Sequence, residues 1–166
     1  LYEIEALAPT ATGDDELRRM FQGLLAERFQ MQAHREAREM DVYTLTVGRS
    51  GAKLQAAPRE RPKISLGYGG RSSWVELTDR GRKLVGRGAS MDDLAVILGS
   101  KLETPVQNRT RLTGTYDYEL LFSTGVDRVD APDLTTVIRE LGLNLDKAKG
   151  TVDVLVIDRV AKPSEN

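Results

Sequence analysis

The chain has 166 residues, 40% of them hydrophobic and 30% charged, with a formal net charge of −1. That balance is too apolar for a disordered chain and too polar for a membrane protein, and it exerts no global pull toward nucleic acid or acidic lipid. With no cysteine and one histidine, disulfide, thiolate-metal and cysteine-nucleophile chemistry are excluded and a zinc site is disfavoured, so neither metal nor cofactor is expected.

The length suits one domain around one core. Tyr2 to Ala6 reads as a leading strand. The opening at Leu1, with neither an initiator Met nor a leader, reads as a processed fragment. A helix is expected over 14–28, because Leu17, Met20, Phe21 and Leu24 recur at the spacing of one buried face and Asp14, Asp15 and Glu16 favour the positive end of its dipole. Strands follow at Gln30–Arg35 and Val42–Val47, where β-branched and aromatic residues gather.

From Gly48 to Gly70 the sequence is rich in Gly, Pro, Arg and Ser and reads as an extended loop. A short hairpin closes it, pairing Trp74–Leu77 with Leu84–Val85 around Asp79-Arg80-Gly81. Lys83–Gly86 then leads into a second helix over 91–102, opened by a capping-box pair, Ser90 and Asp93. Its stripe of Leu94, Ile97 and Leu98 shifts at the end, where Lys101 takes the apolar place and Leu102 follows. Strands are expected at Pro105–Asn108 and Thr115–Phe122.

A third helix over 132–141 carries Leu134, Val137, Ile138 and Leu141, with Asp130 and Asp133 around Pro132 at its start and Gly142 as its stop. Leu143–Lys147 and Val152–Val160 read as a hairpin turning at Lys149-Gly150. The fold class is therefore α+β: repeated βαββ-like units, with three helices packed on an antiparallel or mixed sheet in a single domain spanning 1–166. The units cover about 1–47, 83–122 and 130–160, and the basic loop and hairpin form an insertion over about 48–82.

Few residues gather convincingly for chemistry. His34, with Glu36 nearby, has the ingredients of a general base and its carboxylate partner. The competing reading is a charged cross-strand ladder that includes Arg38 and Glu39. Asp117 and Glu119 share one strand face about 7 Å apart, a spacing compatible with the paired carboxylates of glycoside hydrolysis; Tyr116, Tyr118 and Leu120 opposite them point instead to an outer polar face and a buried inner one. Gly86-Arg87-Gly88 before Ser90 resembles a phosphate-cradling loop, but Rossmann spacing and a Walker lysine are both absent. Between Arg49 and Arg87 ten Lys or Arg stand against three acids. Within that stretch Arg59, Arg61, Lys63, Tyr68, Arg71 and Trp74 combine charge with stacking rings, the makings of a ligand site for an anionic polymer.

Several strings resemble one known family: Leu24-Leu25-Ala26-Glu27-Arg28-Phe29, His34-Arg35-Glu36, Val42-Tyr43, Ser90-Met91-Asp92-Asp93-Leu94-Ala95, Leu112-Thr113-Gly114-Thr115-Tyr116-Asp117-Tyr118, and the ending from Val154 to Asn166. The chain is similar to the soil-associated family of unknown function expanded in Acidobacteria. That resemblance implies an exported protein, periplasmic or extracellular, with no catalytic residues to carry over. The expectation is a non-enzymatic envelope or secreted interaction module that adds a partner's strand to an exposed edge, the partner being a protein or polymer of the cell envelope. The alternatives are a small glycan-type hydrolase and anionic-polymer binding through 49–87, with nucleic acid disfavoured as the polymer. No segment of this chain is expected to cross a membrane.

Overall fold

A computed structural model describes residues 13–57, 73–123 and 132–163. In chain order the elements are α1 (Asp14–Phe29), β1 (Gln32–Val47), β2 (Gln55–Ala56), β3 (Ser73–Thr78), β4 (Gly81–Ala89), α2 (Met91–Leu102), β5 (Val106–Asn108), β6 (Tyr116–Phe122), α3 (Leu134–Glu140) and β7 (Leu143–Arg159). The fold is α+β, as the sequence led us to expect. One sheet has the order β5-β1-β7 and the other β2-β6-β4-β3. The first is mixed, since β1 and β5 run parallel; the second is antiparallel throughout.

Local chemistry explains where the helices begin and end. The Ser90 hydroxyl accepts from the Asp93 amide at 3.1 Å, and the Asp93 carboxylate accepts from the Ser90 amide at 2.9 Å, so two orphan donors of α2 are satisfied reciprocally. At α3 the cap is Asp133, whose Oδ1 accepts from the Thr136 amide at 3.0 Å; the other proposed cap, Asp130, lies outside the described residues. Gly142 follows α3 with φ of 71°, and a Cβ there would lie 2.1 Å from the Gly51 carbonyl oxygen. The stop read from the sequence is thus also a site of close backbone approach.

The chain clusters into two compact units, one of Leu1–Arg38 with Val152–Asn166 and one of Glu39–Thr151. The second holds the core. Leu94 and Leu98 of α2, Val137 and Ile138 of α3, Leu84 of β4, Tyr118, Leu120 and Phe122 of β6, Leu45 of β1 and Leu143 of β7 are all buried in one cluster. Alternation along β6 sends Tyr118, Leu120 and Phe122 inward, which leaves Asp117 and Glu119 on the other face. The predicted hairpin is present, with β3 and β4 in register from Ser73 opposite Gly86 to Thr78 opposite Gly81.

Three expectations are corrected. Two strands were predicted after the first helix and two after the third, yet each helix is followed by one long strand, of 16 and 17 residues. The charged run from Glu36 to Asp41, which interrupts the apolar pattern of β1, is exposed strand held by side-chain pairs such as Arg38 with Glu36 and Lys149 with Asp41. Lys149-Gly150 makes no turn. A Cβ on Gly150 would lie 2.9 Å from the Gln107 amide nitrogen and 3.0 Å from Val42 Cγ2, so the glycine makes room for neighbours in the sheet.

The third correction concerns α1. Its Leu17, Met20 and Phe21 are 50%, 42% and 49% exposed, so the apolar template that marks core in α2 and α3 does not do so here. Periodicity identifies a face suited to burial and carries no information about what covers it. The leading strand at Tyr2–Ala6 and the loop centre lie outside the described residues.

Candidate functional site

His34 stands on β1 with its Nδ1 2.9 Å from Asp158 Oδ2 on β7 and its Nε2 3.9 Å from Glu36. Glu36 in turn accepts two bonds from the Arg38 guanidinium, at 3.1 and 3.0 Å. That bond, and then the Arg38 charge, holds the Glu36 carboxyl below the usual range. All four side chains are about half exposed. The geometry is that of a solvated cross-strand ladder, in which each carboxylate already has a cationic or imidazole partner. No local signal in the sequence marks Asp158 as the partner of His34, because the two lie 124 residues apart.

Asp117 and Glu119 are likewise engaged. Asp117 Oδ1 accepts from the Gly88 amide at 2.8 Å. Glu119 pairs with Arg87 and lies 3.7 Å from Lys83, whose ammonium also reaches Glu76 at 3.2 Å. The Trp74 indole donates to Glu76 at 2.8 Å; that bond first, and then Lys83, lowers the Glu76 carboxyl. Trp74, Glu76, Lys83, Arg87 and Glu119 therefore form a belt across β3, β4 and β6. Each charge in it serves a neighbouring strand. Of the basic-loop candidates, Arg59, Arg61, Lys63, Tyr68 and Arg71 lie outside the described residues.

Two open cavities lie in the second unit. One, of about 600 Å³, is lined by Ser90, Met91, Asp92, Asn108, Arg109, Arg111, Leu112, Thr113 and Gly114. Its polar groups are partly committed: Asn108 donates to Asp92 at 2.8 Å, Arg109 donates to Gln107 at 3.0 Å, and Asp93 closes the cap. The other, of about 400 Å³, is lined by Lys101, Leu102, Phe122, Ser123, Asp133, Leu134 and Thr135. Among the described residues no group of three or more His, Cys, Asp or Glu is placed to hold a metal ion. No described helix is long and apolar enough to cross a membrane.

Among the described residues, two strand edges stand out. In the first unit β1 and β7 form a ribbon. His34 beside Asp158, and the Ala161 amide donating to the Phe29 carbonyl at 2.7 Å, show that the strands run antiparallel. β5 pairs with β1 only at 43–45, so over 32–38 β1 has β7 on one side and no other described strand. β7 is the edge of its sheet among the described residues.

The two edges differ in chemistry. Along 32–38 the β1 edge carries His34, Arg35, Glu36 and Arg38, the kind of charge that blunts an edge against foreign strands. Along 152–160 six of nine residues in β7 and just beyond are aliphatic, with Leu155 65%, Ile157 57% and Val160 63% exposed. This edge was legible in the run Val154 to Ile157, once that run is taken as strand without a hairpin partner. No curated protein and no solved structure matches the chain. The family described as "Protein of unknown function (DUF3738)" matches residues 1–160, and the chain belongs to that family.

Proposed function

We propose that the chain is a non-enzymatic interaction module that takes an extended partner segment along the outer edge of β7. The observation that carries this reading is the contrast of edges: residues 32–38 present charge, while 152–160 present exposed aliphatic side chains on a strand that is the edge of its sheet among the described residues. Main-chain hydrogen bonds supply affinity in such pairing, and the alternate side chains supply selectivity. Glu36, Asp117 and Glu119 each hold a neighbouring group of the fold, which supports a structural role for these acids over a hydrolytic one. The resemblance to exported proteins of soil bacteria adds a setting, the periplasm or cell exterior, and a partner in the cell envelope.

The test is a library of nine-residue extended peptides, with hydrogen exchange of β7 amides as the readout. A bound peptide slows exchange within 152–160, and N-methylation of its alternate amides abolishes binding because those donors make the ladder. Binding that survives N-methylation at both alternations, or that protects other elements and leaves 152–160 unchanged, sinks the proposal.

A further inference from the structure

The occupant of this edge has a chemistry that β7 itself supplies, and we infer that it is β7 of a second copy of this chain, paired antiparallel about a two-fold axis at Val156. The inference rests on the strand-addition reading above and names its partner.

Register carries the argument. In an antiparallel pair directly opposed residues share a face, so a symmetric self-pairing must place its axis on a residue. With the axis at Val156, Leu155 meets the partner's Ile157 on the exposed face, and Asp153 meets the partner's Arg159 on the same face. Both contacts occur twice by symmetry. Val152 faces the partner's Val160, and Val154 faces the partner's Asp158, whose carboxylate keeps its 2.9 Å bond to His34 on its own ribbon.

Neighbouring registers lose this complementarity. An axis at Leu155 sets Asp153 against Ile157, and an axis at Ile157 sets Leu155 against Arg159. An axis at Val154 brings Lys149 against Arg159, and one at Asp153 places two aspartates face to face. Only the Val156 register satisfies both charged residues of the exposed face and both of its exposed aliphatic residues, which are 65% and 57% accessible in one copy. In one copy Arg159 donates to the neutral Gln30 amide oxygen at 3.1 Å, which leaves its charge for a carboxylate. A nine-residue strand contact is smaller than the roughly 1,600 Å² of a standard interface, so a weak, concentration-dependent dimer is expected.

The experiment uses the intact chain. Sedimentation velocity from about 1 µM to 1 mM spans the range in which so small an interface is populated. A monomer–dimer equilibrium is expected. Asp153→Arg and Arg159→Asp should each weaken it about tenfold by opposing like charges twice, and the double swap should restore it. Because the chain has no cysteine, Val156→Cys gives a clean second readout: opposed Cα atoms about 4.5–5.5 Å apart lie within disulfide reach. Val156→Cys should cross-link on mild oxidation, and Thr151→Cys should not.

A chain monomeric to 1 mM, or a dimer indifferent to both swaps with no Val156→Cys cross-link, overturns the inference. The two levels separate cleanly. A monomer that still takes extended peptides along 152–160 rejects the second copy and keeps strand addition, whereas a chain that does neither rejects both.

Discussion

Adding one methyl group at Gly86 tests how the antiparallel sheet is assembled. A Cβ built there would lie 2.3, 2.4 and 2.7 Å from ring carbons of Tyr118, far inside contact distance. The ring has little room to yield. Tyr118 is 5% exposed, belongs to the core cluster, and its hydroxyl bonds the Ser73 hydroxyl at 2.7 Å on the edge strand β3. Overpacking of this kind costs about 1–3 kcal/mol, and pulling the phenol from Ser73 adds about 1 kcal/mol. Gly86→Ala should therefore destabilise by about 2–4 kcal/mol and lower the melting temperature by about 4–16 °C for a chain of this size. Urea denaturation of the single and double variants is the measurement. In a Tyr118→Ala background the clash has no partner, so the added cost of Gly86→Ala should vanish. A loss under about 0.5 kcal/mol in the wild-type background, or an undiminished loss in the Tyr118→Ala background, would refute the steric account.

Two titrations follow from the environments of Asp133 and Tyr118. The Asp133 carboxyl is held down at about 2 from 3.8, first by the Thr135 hydroxyl and then by the Thr136 amide. Its folded value is depressed, so its contribution is complete above the unfolded value and drains away as pH falls from about 4 through about 2. Asp133→Ala should cost about 1 kcal/mol at neutral pH, and Asp133→Asn should keep most of the cap while flattening that acid limb in acid-denaturation curves. The site is exposed, so solvent screening keeps the acid limb shallow. The Tyr118 phenol is pushed up to about 12, chiefly by burial. Its folded value is raised, so the stability of the neutral form is full below pH 10 and is lost between about 10 and 12, amounting to roughly 2–3 kcal/mol. Tyr118→Phe should remove that alkaline limb from pH-dependent denaturation, and absorbance titration should show one tyrosine fewer with a late onset.

Legibility tracked how local the deciding interaction is. Ser90 with Asp93 settles the start of α2 within three residues, and Gly142 ends α3 through its own φ, so both were readable from short strings. Asp79-Arg80-Gly81 marked its hairpin for the same reason. Gly150 is ambiguous in sequence because a glycine serves two ends, a turn or a close approach, and the residues that decide are Val42 and Gln107, far off in sequence. The stripe of α1 matches that of α3 position for position, yet Met20 is 42% exposed while its counterpart Val137 is 1% exposed. A helical period reports amphipathicity alone. At the candidate site, the pairing of Glu36 with Arg38 was local enough to suspect, whereas the Asp158 partner of His34 and the Lys83 and Arg87 partners of Glu119 arise only from strand register.

The same register explains why function is sought in backbone. Charge on a strand face is spent on its neighbours: in the belt over β3, β4 and β6, Lys83 serves both Glu76 and Glu119, and Arg87 serves Glu119. Reclaiming such a carboxylate for proton transfer would require breaking a pair that also fixes strand alignment. Among the described residues the outer edge of β7 meets no further strand. Along β1 the charged side chains repel an incoming strand, whereas along 152–160 Leu155 and Ile157 stay exposed beside the edge. A partner strand there would bury those side chains and extend the ladder in a single step. Replacing Leu155 and Ile157 by lysine would convert this edge to the chemistry of its neighbour, and should silence strand addition without touching the buried core of the second unit.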